Sequence, residues 1–321
     1  MNQRPLVTVV VPGHQVEPWV QAALDSLRAQ TLSDWTAVLV DDASSDRTGD
    51  LFDAAAASDP RFRVVRLPRR VGLGAARNAA LDLVDTPYLA FLDADDVMLP
   101  TALERFVATL DGSGSDFAVG AYVRLRPDGS GGYAAGDVQP WVSRATVPAR
   151  TATNLEEHPE VTANVVAWSK LSRTEFWQRT GLRFPEGRLY EDQVVAQQMY
   201  ARARRFDVIS DVVVHWRERA DGSSITQHEE RLDVLRDCLD AMSEGMRVLD
   251  GTGHTAAARA RAGQLLRMDI PRLARVAASH PDDDYRRLVG VFTRSISERQ
   301  DAAAIAVPDD AQPLISAALL W

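Results

Sequence analysis

Tyr88-Leu89-Ala90-Phe91-Leu92-Asp93-Ala94-Asp95-Asp96 begins as a short apolar strand and ends in three carboxylates. A strand that delivers Asp-x-Asp at its carboxyl end can set its acids beside a divalent cation. Hard cations such as Mg²⁺ or Mn²⁺ take oxygen ligands and bridge phosphate oxygens. Asp93 and Asp95 are the candidate ligands. The competing reading is a solvated acidic turn that caps the next helix, and the motif by itself does not separate the two.

The residues before this motif alternate strand and helix. Val7 to Val11 is a continuous β-branched run, suited to a strand buried on both faces, and it stops at Pro12-Gly13. Trp19, Val20, Ala23, Leu24 and Leu27 then recur at helical spacing. Thr36 to Val40 is a second strand, ending in Asp41-Asp42, and Ser44-Ser45-Asp46 supplies cap chemistry for the helix that follows. Phe62 to Leu67 makes a third strand, and Gly72-Leu73-Gly74 opens a helix through about Val84. Pro100 suits the first turn of a helix that buries Leu103, Phe106, Val107 and Leu110. Such repeats imply a parallel sheet with helices on both faces, whose ligands bind beyond the strand carboxyl ends. Two distant segments, Asp41-Asp42 and Asp93-Asp95, therefore point carboxylates at one crevice.

The pattern changes after about residue 112. Asp116 to Leu125 reads as a strand, and Pro127 to Gly132 as a turn. Residues 135 to 160 show no regular pattern. Trp168 to Phe176 and Asp192 to Arg202 read as helices, and Asp207 to His215 as a strand. From about Glu229 onward, Ala-, Arg- and Leu-rich stretches predict helices suited to homo-oligomer formation or acceptor contact. The expected division is an α/β domain over 1–226 and a helical region over 227–321.

Composition narrows the function classes. The chain has 321 residues, 45% apolar and 25% charged, values of a folded protein. Its net charge of -9 argues against a nucleic-acid partner. Arg61, Arg63, Arg66, Arg69 and Arg70 crowd one stretch, either as a solvated edge or as a patch that meets phosphate. No apolar run is long enough to span a bilayer, and the N-terminal run is too short for a signal peptide. With Cys238 as the single cysteine, no internal disulfide can form, so a reducing cytoplasm is expected. Work at the inner face of the plasma membrane, by peripheral association, is compatible with that.

Two further constellations carry chemistry. Leu189-Tyr190-Glu191-Asp192 leads into Val194, Val195 and Met199 at helical spacing, so both acids fall in a first helical turn, where the helix dipole also favours them. Val214-His215-Trp216-Arg217-Glu218-Arg219 is followed by Gly222-Ser223-Ser224-Ile225-Thr226. That segment follows a strand and offers guanidinium and hydroxyl donors. His215 is a candidate metal ligand as a neutral imidazole, or an ordinary packed residue.

Taken in order, five pieces resemble the family-2 glycosyltransferases, which share the GT-A fold. They are Val9-Val10-Val11-Pro12, Leu24 to Thr31, Val40-Asp41-Asp42-Ala43-Ser44-Ser45-Asp46, Gly72-Leu73-Gly74-Ala75-Ala76-Arg77-Asn78 and Phe91 to Asp96. The resemblance covers roughly residues 5 to 226. It departs from the family at His14 and Arg70, where an aromatic and an asparagine are frequent. It implies a Rossmann-like mixed sheet flanked by helices, with a C-terminal helical appendage. It implies a nucleotide-sugar donor, UDP-sugar foremost, an acceptor hydroxyl on a glycan, polymer or small molecule, and Mn²⁺ or Mg²⁺ held by Asp93, Asp95 and His215. Pro12 and His14 would line the base, and Asp41 and Asp42 would accept from base or ribose. Arg77 would meet a phosphate or hold the acids in place. Arg217 or Arg219 and the serine hydroxyls, Ser224 among them, would clasp the diphosphate, the loop closing over it. Asp192 would be the catalytic base of inverting transfer, with Glu191 orienting it or the acceptor.

Two other readings compete. Gly72-Leu73-Gly74 between strand and helix is shared with dinucleotide-binding oxidoreductases, but Arg77 stands where that turn needs its third glycine. A catalytically inactive sugar-nucleotide scaffold would not need the acids Asp93, Asp95 and Asp192.

Overall fold

The computed structural model describes residues 4–224, 228–299 and 305–321. The first third runs β1 (Val7–Gly13), α1 (Glu17–Arg28), β2 (Trp35–Asp41), α2 (Thr48–Ser58), β3 (Phe62–Arg66), α3 (Leu73–Leu81) and β4 (Tyr88–Phe91). The middle runs β5 (Val97–Met98), α4 (Ala102–Ser113), β6 (Phe117–Pro127), β7 (Tyr133–Val138), α5 (Pro140–Thr146), β8 (Arg150–Thr153), β9 (Lys170–Arg173), α6 (Thr174–Thr180), α7 (Glu191–Arg202) and β10 (Phe206–Arg217). Among the described residues that follow are the helices α8 (Leu232–Gly251), α9 (Thr255–Gln264), α10 (Ile270–Ser279), α11 (Asp283–Ser297) and α12 (Gln312–Leu319).

One sheet organises the molecule, in the order β3-β2-β1-β4-β9-β6-β10-β5, with β7 paired to β6 and β8 to β10. β3, β2, β1 and β4 are mutually parallel, whereas β9 runs antiparallel to β4 and β6. The sheet is therefore mixed and carries helices, the architecture expected. β1 is buried along its whole length, as its unbroken β-branched run requires. Register brings the strand ends level. Gly13 lies opposite Asp41, and Val10 opposite Phe91. Asp41-Asp42 and Asp93-Asp96 thus emerge along one edge. Beyond β4, Leu92 N and Ala94 N still donate to Val10 O and Pro12 O at 3.0 and 3.3 Å, which fixes the acidic turn against the end of β1.

Trp168 to Phe176 is not a helix. Lys170 to Arg173 form β9 at the sheet's centre, and only Thr174 onward is helical. The polar Lys170 and Ser172 imitated an exposed helix face, yet both are buried. The stretch without regular pattern holds β7, α5 and β8. Under the sheet, Phe117 stacks on Phe206 at 5.4 Å and meets Tyr200 at 5.6 Å. Each such ring contributes about 1.5–3 kcal/mol by leaving water.

The boundary expected at 226/227 lies outside the described residues. The tail helices share one continuous apolar core with the sheet. Polar contacts dock α8 beside α7: Leu189 N donates to Asp237 Oδ2 at 2.9 Å and Arg188 Nη2 to Glu244 Oε2 at 2.6 Å. Among the described residues, no helix is long and apolar enough to cross a membrane.

Candidate functional site

Arg77 is the hinge of the site. It lies in the second turn of α3 and is only 1% exposed. Its Nη1 donates to Glu191 Oε1 at 2.5 Å and its Nη2 to Asp93 Oδ1 at 2.5 Å. The Phe184 ring packs 5.1 Å from the guanidinium carbon. One buried cation therefore joins the acidic turn after β4 to the first residue of α7. Of the two expected roles, phosphate contact and holding the acids, the geometry presents the second, because both terminal nitrogens are spent and solvent is excluded.

Burial raises both acids at the start of α7, Glu191 to about 7 and Asp192 to about 6, against the opposing pull of Arg77. Tyr190 enters this helix in the left-handed region, at φ 59. A non-glycine residue there stores about 1–3 kcal/mol and persists where surroundings over-determine it. Asp192 lines a tight cavity with Phe91, Trp177, Phe184 and Lys170.

Lys170 was missed by sequence reasoning, because a lysine flanked by Ser169 and Leu171 reads as solvent-facing. Its Nζ donates to Asn164 O at 3.0 Å, Asn164 Oδ1 at 2.9 Å and Val166 O at 2.6 Å, and burial lowers it to about 7. It adds a cationic group beside Asp192.

α3 reaches this position through a glycine. A Cβ on Gly74 would collide with the Pro185 backbone carbonyl and press on Glu191 Cγ. Gly74→Ala should therefore destabilise the protein by about 1–3 kcal/mol and loosen the Arg77–Glu191 pair. Thermal unfolding checks the first effect, and transfer rate the second.

The residues expected on the nucleotide side form a second group. Asp42 accepts from Val71 N at 2.7 Å and Gly72 N at 2.8 Å, one on each carboxylate oxygen. Asp41 accepts from Ser44 N at 3.0 Å and pairs with Arg66 at 3.4 Å. Both acids are buried, and the structure uses them to fasten turns. This also corrects the dinucleotide reading, since the backbone donors of the glycine turn are given to Asp42. Pro12 is buried at the end of β1, and half-buried His14 joins its Nδ1 to Asp42 O at 2.8 Å. The arginine cluster is a surface edge: Arg61 pairs with Asp59, and Arg66 with Asp41, Asp50 and Asp53.

The segment after β10 closes onto the acidic turn. Arg217 N donates to Asp96 Oδ1 and Arg217 Nε to Asp95 O, both at 2.7 Å. Arg219 Nε donates to Asp95 Oδ2 at 2.8 Å. Tyr133 and Trp19 carry the two guanidinium groups on their faces, at 4.4 and 4.5 Å. Tyr133 belongs to β7, where sequence reasoning found no element. Ser224 is the last described residue of this segment, and Ile225 and Thr226 lie outside the described residues.

His215 is not brought into a ligand set with Asp93 and Asp95. β10 places it across from Val97, and Arg77 and Arg219 occupy the two acids. Among the described residues no group of three side chains is assembled for a metal. The donor chemistry still fits a hard cation. Burial raises Asp95 and, more strongly, Asp96, and Asp96 Oδ2 is buried with no hydrogen-bond partner among the described residues. The Arg219 guanidinium places a positive charge against Asp95 in this turn.

The family model for glycosyl transferase family 2 matches residues 8–177, more than half of the chain. The chain belongs to glycosyl transferase family 2. Among similar proteins, this family-2 chain is 26% identical over 241 residues to EpsJ of Bacillus subtilis, an uncharacterized glycosyltransferase. The match covers 71% of this chain and 66% of EpsJ, just under two thirds of that relative's length. S. aureus TarS (residues 1–349), solved with UDP, superposes with a TM-score of 0.72 at 19% identity, over 98% of this chain and 87% of that one. The mannosyltransferase PcManGT from Pyrobaculum calidifontis, solved with GDP-Man and Mn²⁺, superposes at 0.53 and 18% identity, over 99% and 87%. At these identities the superpositions establish the GT-A fold.

Proposed function

We propose that this chain is an inverting glycosyltransferase that moves a sugar from a nucleoside diphosphate, UDP foremost, to a hydroxyl of a glycan or wall polymer. The observation that carries this reading is the Arg77 bridge, which sets the acidic turn and the Glu191–Asp192 pair on two sides of one site. The UDP held by TarS and the GDP-Man and Mn²⁺ held by PcManGT support the donor class and a divalent ion.

In this mechanism Pro12 and His14 line the base, and Asp93 and Asp95 would hold a Mn²⁺ or Mg²⁺ ion. Such an ion supplies charge neutralisation for the departing diphosphate. Arg217, Arg219 and Ser224 face the diphosphate from the closing segment and exclude water. Asp192 accepts the proton of the acceptor hydroxyl as its oxygen bonds to the anomeric carbon. The carbon–oxygen bond to the diphosphate breaks on the opposite face, and its electron pair leaves with the phosphate, which inverts the centre. Glu191, clamped by Arg77, keeps Asp192 in place. Orientation of donor and acceptor supplies much of the acceleration. Residues 1–226 form the catalytic unit, and α8 and α9 of the 227–321 region brace α7 and the turn that leads into it.

Incubating the protein with a panel of nucleotide sugars and glycan acceptors, with Mn²⁺ or with EDTA, tests the reading. Acceptor-dependent release of the nucleoside diphosphate, abolished by EDTA and absent in Asp95→Asn, is expected. Transfer with retained anomeric configuration would overturn the inverting step.

Acid should silence the reaction. Asp192 works as a carboxylate, and its folded value is raised to about 6 by burial. Transfer is present above that value and lost below it, falling about tenfold per pH unit in kcat/KM. The stability contribution has the opposite sense: a raised acid favours the fold at low pH and loses that contribution as pH rises through about 6. A pH–rate profile with no limb between pH 5 and 7 would exclude Asp192 as the base.

A further inference from the structure

Away from the acidic turn, a cavity of about 850 Å³ opens between α5, the 3₁₀ turn Pro159–Ala163, α9 and Ile305-Ala306. Arg144 of α5, Arg259 of α9 and Arg267 line it, with Glu160 as the one acid among the described lining residues. Arg144 and Arg267 against Glu160 already leave the described lining positive, on a chain whose net charge is -9.

Among the described residues many arginines pair with acids, whereas Arg144 and Arg267, like Arg236 and Arg247 of α8, have no ion-pair partner there; unlike the α8 pair, they line one cavity together. Arg267 is half-buried, its charge disfavoured by burial and further by Arg144. It stands in a π-helical turn, Leu265–Asp269, inserted between α9 and α10. Such single-turn distortions recur at functional sites. The walls between the arginines are small residues, Ala256, Ala260 and Gly263, which leave the volume open. α9 also touches the catalytic helix, through Arg261 Nη2 donating to Gln193 Oε1 at 3.0 Å, next to Asp192.

We propose that this cavity is an anion subsite that takes the phosphate diesters of the acceptor, through Arg144 and Arg267. The guanidinium fork matches paired anionic oxygens, and two unpaired forks repelling one another are stabilised by an anion between them. The volume exceeds that of one phosphate, so an extended ligand fits. The acceptor role rests on the glycosyl-transfer reading; the binding itself needs no turnover. The phosphate can be carried by a soluble chain or by a lipid headgroup.

Fluorescent oligo(glycerol phosphate) and an uncharged dextran oligomer of equal length are titrated against the full chain by anisotropy. Sedimentation with phosphatidylglycerol or phosphatidylcholine vesicles forms the second arm. Arg144→Gln/Arg267→Gln is compared with Arg236→Gln/Arg247→Gln, which removes the same charge from α8. The cavity variant should weaken phosphate binding about tenfold or more, with a shallower salt dependence, and the α8 variant should match wild type. Loss on the oligomer assigns a soluble acceptor, and loss on phosphatidylglycerol vesicles alone assigns a lipid. Equal binding of charged and uncharged probes, or equal loss in both variants, overturns the subsite. UDP-induced thermal stabilisation, followed in parallel, should be unchanged in both variants. Its absence in wild type would strike the transferase reading instead.

Discussion

Replacing Asp192 by asparagine should lower kcat for transfer by about 10²–10⁴-fold, the range of general-base catalysis, with UDP affinity changed less than about twofold. Asparagine keeps the shape of the side chain and removes its capacity to take a proton. The site should not collapse. Burial and the nearby Asp93 charge already disfavour the Asp192 carboxylate, so a neutral amide relieves strain there. Stability should therefore be equal or slightly higher above pH 6. Rates of nucleoside diphosphate release, with UDP titrated calorimetrically, separate the two effects. A protein that merely bound sugar nucleotides would show no loss, and a structural role for Asp192 would lower UDP affinity and unfolding temperature together.

Removal of Arg77 should be the most damaging single change to the fold around the site. In Arg77→Met, Glu191 and Asp93 lose their common cation while Glu191 stays buried. Breaking one partner from a buried pair costs about 3–5 kcal/mol. The sign with pH follows from Glu191. Its folded value is already raised to about 7 and rises further without Arg77, so the loss is smaller at pH 5 than at pH 8. Arg77→Lys restores charge without the fork that spans two acids, so it recovers part of the stability and little activity. Adding Glu191→Gln to Arg77→Met should recover stability without restoring transfer. Urea unfolding at the two pH values measures each variant, and a uniform loss of under about 1 kcal/mol would mean that the bridge does not hold the site together.

Much of this site is legible in the sequence. The β-branched run of β1 announces a strand buried on both faces, and the acids after β2 and β4 follow from strand polarity, so their convergence on one edge was readable. Partners were not. Asp42 was expected to meet a ligand, yet its oxygens hold the Val71–Gly72 backbone, because a turn's amide donors attract the nearest carboxylate and only register reveals which one that is. His215 lies close to the motif along the strand ladder, but period and spacing do not disclose that it faces Val97 in pairing. Lys170 defeated the pattern altogether. Its burial depends on carbonyls of Asn164 and Val166, in a stretch without helical or strand periodicity. Tyr133 was hidden for the same reason, in a hairpin whose alternation is too weak to read.

The most direct measurement is a crystal structure with UDP and Mn²⁺, the metal located by anomalous scattering. The expected map shows manganese at Asp93 and Asp95 against the diphosphate, Arg219 withdrawn from Asp95 towards phosphate, and Asp192 facing the open side of the site. Manganese and UDP bound elsewhere, or Arg219 still seated on Asp95 with the diphosphate in place, would contradict a cation-held leaving group opposite Asp192.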